Sequence, residues 1–172
     1  MTGPNLTPWN TILWNQVGAS IDMLENAIAV CPEELWNRSG PDFWHMAYHT
    51  LFFLDLQLFG SLEGFAPPEP FDLSELDADC FHPRPYTKHE LLNYLQHCRE
   101  KCYITIAGLT EDNALRPCRS GSFNLPFAEA LLHGMRHVQH HTAQLNLLLR
   151  QNRIAAPKWV SRTSHQLKAS VN

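Results

Sequence analysis

The sequence predicts an all-α four-helix bundle with one long crossover between its second and third helices. Three observations carry that reading. Four segments of about 18 to 26 residues place apolar side chains at helical spacing, no run alternates with the period of two that a half-buried strand needs, and no internal repeat divides the chain. At 172 residues the chain is long enough to bury one continuous core without disulfides or a structural metal. We divide it into a bundle, residues 1–151, and a loose basic tail, residues 152–172.

The elements follow in order. Thr7-Pro8 supplies an N-cap and a first-turn proline, and Leu13, Val17, Ile21, Leu24 and Ile28 make the buried stripe of a helix that Cys31-Pro32 stops. Pro32 to Trp36 fits one short helical turn, after which Asn37 to Pro41 connects to the second helix, with Pro41 in its first turn. From Asp42 to Phe59 the run DFWHMAYHTLFFLDLQLF is apolar on nearly all sides, as a helix covered on two faces or by a second subunit would be. A homodimer is expected on that ground. Gly60 to Tyr86 is rich in proline and carries Glu75, Asp77 and Asp79 with no sustained period, so it reads as a long excursion across one end of the bundle, placed to roof a site. Thr87-Lys88-His89-Glu90 has the form of a capping box, and Leu91, Leu95, Cys98, Cys102, Ile106 and Leu109 mark a third helix over 88–109. Thr110 to Phe123 is a polar connector. Asn124-Leu125-Pro126 begins the fourth helix, which reaches Arg150. Beyond Asn152 the chain is short of apolar residues apart from Trp159, its one candidate anchor.

Composition excludes several function classes. The formal net charge is −4, from 17 acidic against 13 basic residues, and no basic stripe is interleaved with aromatics, so nucleic acid is not a partner. Five irregularly spaced cysteines without a Cys-x-x-Cys pair argue against a disulfide framework and a zinc ribbon, and fit a reduced, cytoplasmic protein. Residues 1–10 lack the charged and apolar regions of an export signal. The most apolar stretch is broken by His45, His49 and Asp55, so no membrane span is expected.

The chemistry is concentrated in histidine. His133, His137, His140 and His141 fall within about 100° of arc on the last helix, bordered by Leu131, Met135, Val138, Leu145, Leu148 and Leu149. His137-x-x-x-His141 sets two ring nitrogens one turn apart, a separation that one transition metal can bridge, and the third ligand must come from elsewhere. His45 and His49, also four apart, are the donors at hand. Gln144 follows His141 by three residues and can orient it or serve as a plain surface amide. His140 projects about 100° away from His141. Asp55, in an apolar run, needs a hydrogen-bonding partner such as Trp or Tyr, and the cysteines of the third helix occupy stripe positions as small hydrophobes.

A histidine on the second helix within WHMAYHTLFFLD, followed by His137 to Leu145 in the pattern His-x-x-His-His-x-x-Gln-Leu, resembles the DinB-like (DinB/YfiT-like) superfamily. The resemblance runs from about Trp9 to Arg150. It implies a four-helix bundle with a divalent metal, zinc or nickel, with iron also used by relatives, bound by one histidine of helix two and a His-x-x-x-His pair of the last helix. Carried over, the ligands are His49, His137 and His141. Many members read His-His-Arg-Gly-Gln where this chain has His140-His141-Thr142-Ala143-Gln144, so the ligand positions survive and the arginine does not. Relatives include thiol S-transferases, a thiol-dependent maleylpyruvate isomerase and the metal-binding part of a sulfoxide synthase. The implied function is that of a metal-dependent enzyme joining a small-molecule thiol to an electrophile or isomerising through a thiol adduct. The alternative is a non-catalytic metal or small-ligand binding protein in a stress response.

Overall fold

A computed structural model describes residues 6–38, 43–77, 84–120 and 123–167. The expected first turn of helix two at Pro41 and the acidic Asp79 lie outside these residues. Six helices are present among them: α1 Pro8–Val30, α2 Glu33–Trp36, α3 Phe43–Phe59, α4 Lys88–Ala107, α5 Glu111–Ala114 and α6 Phe127–Gln151. Both expected helix starts are built as the residues suggest. The Thr7 hydroxyl accepts from the Asn10 amide while the Asn10 side chain accepts from the Thr7 amide, and Thr87 and Glu90 do the same at the start of α4.

Side-chain contacts fix the helix directions. The Asn10 amide donates to the carbonyls of Ile106 (2.6 Å) and Leu109 (2.9 Å), satisfying the far end of α4, while Lys88 at its near end pairs with Glu33 at 3.3 Å, so α1 and α4 are antiparallel. The Tyr94 hydroxyl donates to Asp55 at 3.1 Å and Tyr48 packs on Tyr86 at 4.9 Å between ring centres, so α3 and α4 run parallel. Gln57 meets His133 near the end of α3 where α6 begins, which makes α3 and α6 antiparallel. A parallel α3/α4 pair cannot be joined by a short turn. The expected crossover therefore returns the length of the bundle.

That crossover completes the core rather than lying loosely over it. Phe65, Phe71 and Tyr86 are buried, and Phe71 stacks on Tyr48 (5.4 Å) and on Tyr94 (4.4 Å), covering the α3/α4 seam. The all-round apolar character of α3 is thus satisfied by α4, α6 and the crossover of its own chain, and it gives no independent ground for a second subunit. The remaining core is the expected one: Ile21, Leu24 and Ile28 from α1, Leu91, Leu95, Cys98, Cys102 and Ile106 from α4, and Val138, Leu145 and Leu149 from α6.

Two expectations are corrected. The connector before α6 is not featureless: β1 Pro117–Ser120 and β2 Phe123–Pro126 form an antiparallel hairpin that pairs Cys118 with Leu125, so Asn124 to Pro126 is strand and α6 starts at Phe127. Tertiary contacts set it. Gly60 ends α3 at φ 87°, a conformation that suits glycine, and its carbonyl accepts from the Arg119 amide at 2.9 Å. The tail is not loose where it meets α1. Thr163 is buried against Gly18 and donates its amide to the Asn15 carbonyl at 3.2 Å, and the Trp14 indole donates to the carbonyl of His165. Trp159, the expected anchor, is 70% exposed. No helix among the described residues is long and apolar enough to cross a membrane.

Candidate metal centre

The antiparallel packing of α3 on α6 brings together three of the histidines singled out in the sequence. His49, His137 and His141 each direct one ring nitrogen into a cluster whose atoms all lie within 4.8 Å of one another. The ring centre of His49 is 5.3 Å from that of His137 and 4.9 Å from that of His141. On α6 the Nε2 atoms of His137 and His141 are 3.1 Å apart. Two ligands of one tetrahedral metal at about 2.0–2.1 Å stand about 3.3 Å from each other, so this pair is already close to ligating separation.

Outer hydrogen bonds decide which nitrogen two of the rings present. Glu75, from the crossover, accepts from His49 Nδ1 at 2.7 Å with its other oxygen 3.1 Å from His45 Nε2. Burial opposes ionisation of this carboxyl, but the bonds from His45 and His49 outweigh it and hold its pKa down to about 2. An ionised carboxylate only accepts, so His49 carries its proton on Nδ1 and offers Nε2. Gln144 Oε1 accepts from His141 Nδ1 at 2.7 Å and leaves that ring's Nε2 free in the same way. His137 is held neutral: burial, and then the neighbouring imidazoles of His141 and His49, push its pKa down to about 3. Burial lowers that of His141 as well, partly offset by Gln144.

This donor set fits a divalent metal. Three imidazoles converge, two are turned to present Nε2, and His137, whose Nδ1 is buried with no hydrogen-bond partner, faces His141 through its Nε2. The His49 side chain is 33% exposed, so the cluster is only partly covered. Phe53 forms an apolar wall, 4.7 Å from the His49 ring and 5.9 Å from that of His137.

The other candidates are placed elsewhere. His45 pairs with Glu75 and is not among the clustered nitrogens, so it is no fourth ligand here. His133 Nδ1 accepts from Gln57 at 3.2 Å, and His140 is exposed beside His141. Asp55 finds Tyr94, as its burial required, together with Lys101 at 2.5 Å. Glu75 was missed as a site residue. Its signal in the sequence was slight: an acid one residue after Ser74 in a turn that Asp72 caps.

The sequence profile of the DinB superfamily matches residues 16–145, a span that contains all three clustered histidines. Among solved structures, a DinB-like protein from Bacillus subtilis aligns with a TM-score of 0.53 at 14% identity, covering 90% of this chain and 99% of that one; the likeness is one of fold. No curated protein sequence is significantly similar to the chain. The profile match over most of the chain and the shared bundle agree, and the chain belongs to the DinB superfamily.

Proposed function

We propose that this protein binds one divalent metal, zinc or nickel with iron as a third candidate, through His49, His137 and His141, and that it is an enzyme acting on small thiols, as an S-transferase or a thiol-dependent isomerase. The observation that carries the reading is the convergence of three imidazole nitrogens within 4.8 Å, two of them turned inward by Glu75 and Gln144. A metal held by three neutral imidazoles lowers the pKa of a thiol or water that joins it, supplying a nucleophile near neutral pH.

Among the described residues, the protein's own cysteines favour a diffusible thiol. Cys98 and Cys102 are fully buried, and burial raises both thiols, that of Cys102 to about 12; Cys31 is likewise raised to about 12. None of these is a nucleophile at neutral pH. In the transfer, the sulfur of the external thiol forms the new bond to the electrophilic carbon as the bond from that carbon to its leaving group breaks with its electron pair, and the thiol proton leaves to solvent. Glu75 and Gln144 keep the ligating rings in one tautomer, and Phe53 shields one side of the cluster from water.

A second reading, a metal or small-ligand binding protein without catalysis, is favoured by one feature. The apolar groove of about 480 Å³ lies between α1, α5 and α6, walled by Trp9, Ile12, Leu132 and Met135, and no clustered histidine lines it. The test is a screen of bacillithiol, mycothiol, glutathione and coenzyme A against model electrophiles, with metal-stripped protein as control. Metal-dependent acceleration is the expected result. Equal rates with and without metal would leave the binding reading.

A further inference from the structure

We propose that Glu75 is a positioning residue of the metal centre, and that through it metal binding and docking of the crossover form one coupled event. The inference rests on the assignment of His49, His137 and His141 as ligands. It concerns a residue of a different segment, with a different role.

Glu75 stands on a single 3-10 turn, Leu73–Leu76, within the crossover. The turn is held to α3 by bonds that do not involve Glu75. The Tyr48 hydroxyl donates to the Asp72 carbonyl at 3.2 Å and Phe71 stacks on Tyr48, while within the turn the Ser74 amide donates to the Asp72 carboxylate at 2.9 Å. From there the carboxylate spans one turn of α3, with one oxygen 2.7 Å from His49 Nδ1 and the other 3.1 Å from His45 Nε2. Its side chain is only 5% exposed. Bonds at both oxygens fix the carboxylate plane, so His45 acts as a clamp on Glu75.

Two consequences follow from this arrangement. The His49 ring is locked with its proton on Nδ1 and its Nε2 lone pair toward His137 and His141, and the carboxylate makes that ring a stronger donor to a cation. A cation on Nε2 in turn makes the Nδ1 proton more acidic and tightens its bond to Glu75. Linkage then requires reciprocity: whatever affinity the docked turn adds to metal binding, metal returns as stability of the docked turn. The α6 pair is fixed by its own backbone. The third ligand is the one whose orientation depends on a distant segment.

The test uses tag-free full-length protein. Zinc affinity is measured by chelator competition for wild type, Glu75→Ala, Glu75→Gln and His45→Ala. The His49 tautomer is read from ring ¹⁵N shifts in metal-free protein, and hydrogen exchange is followed over 71–77 with and without zinc. Glu75→Ala is expected to weaken zinc binding about 10- to 100-fold and to mix the His49 tautomers. Glu75→Gln, whose amide oxygen still accepts from Nδ1, keeps the tautomer and loses less affinity. Zinc should slow exchange over 71–77 in wild type and fail to do so in Glu75→Ala. Zinc affinity within twofold of wild type in Glu75→Ala, with the Nδ1-protonated tautomer retained, would overturn the inference while leaving the ligands standing. Failure of wild type to bind zinc stoichiometrically would overturn the ligand assignment instead.

Discussion

His137 and His141 stand one turn apart on α6 with their Nε2 atoms 3.1 Å from each other, and His141 is turned to that position by Gln144 three residues further on. Two of the three donors are therefore set by the backbone of one helix. His49 arrives by tertiary packing, so metal binding should report on the fold as a whole.

Acid should destabilise the metal-free protein through His137. The His137 pKa is lowered to about 3 in the folded chain, chiefly by burial, against 6.5 when unfolded. Between those values the unfolded state binds more protons, so stability is complete above about pH 6.5 and declines as pH falls toward 3, by no more than about 1.4 kcal/mol per pH unit for this one group. Urea titrations of metal-free protein from pH 7 to 4.5 measure the slope. His137→Gln should flatten it, and an unchanged slope would place the acid sensitivity elsewhere.

Asp55 is a structural carboxylate. It is 1% exposed and is bound by the Tyr94 hydroxyl and the Lys101 ammonium, whose side chain is partly solvated. Asp55→Ala strands both partners and should cost about 2–4 kcal/mol in chemical denaturation, discounting the full buried-pair penalty for the exposure of Lys101. Metal content should stay near wild type.

The tail contact can be released without touching the site. A Cβ on Gly18 would lie 2.7 Å from Thr163 Cγ2 and 2.9 Å from its Cβ, so Gly18→Ala should displace Thr163. Residues 161–165 should exchange their amides faster, with a global stability loss of about 1–3 kcal/mol. Unchanged protection there would show that the notch is not what holds the tail.

Cys31, Cys98, Cys102 and Cys118 are all buried with raised thiol pKa values. Their alkylation in native protein, mapped by mass spectrometry, should be no faster than unfolding permits. Rapid labelling of Cys98 or Cys102 would contradict their reading as core residues.

The parts of this fold that local sequence encodes were legible. Capping at Thr7 and Thr87 and the stripes of α1, α4 and α6 follow from spacing within one element, as does the His137/His141 pair. The family pattern, not spacing, selected His49 over His45. The hairpin was not legible, because its four-residue strands have proline at the outer ends and depend on the Gly60 carbonyl, 59 residues from Arg119 in the sequence. Nor was Glu75, since nothing in the crossover's composition says which of its acids meets α3. The tail was misread because its dock is a missing side chain, the notch at Gly18, rather than an apolar anchor of its own.

The central claim is that one divalent metal is held by His49, His137 and His141. Metal analysis of purified tag-free wild type, His49→Ala, His137→Ala, His141→Ala, His45→Ala and His133→Ala tests it most directly. The account predicts about one metal per chain in wild type, retention of most of it in the His45 and His133 variants, and loss of stoichiometric binding when any ligand is removed, with the unfolding temperature falling in step. Full occupancy in His141→Ala would contradict it.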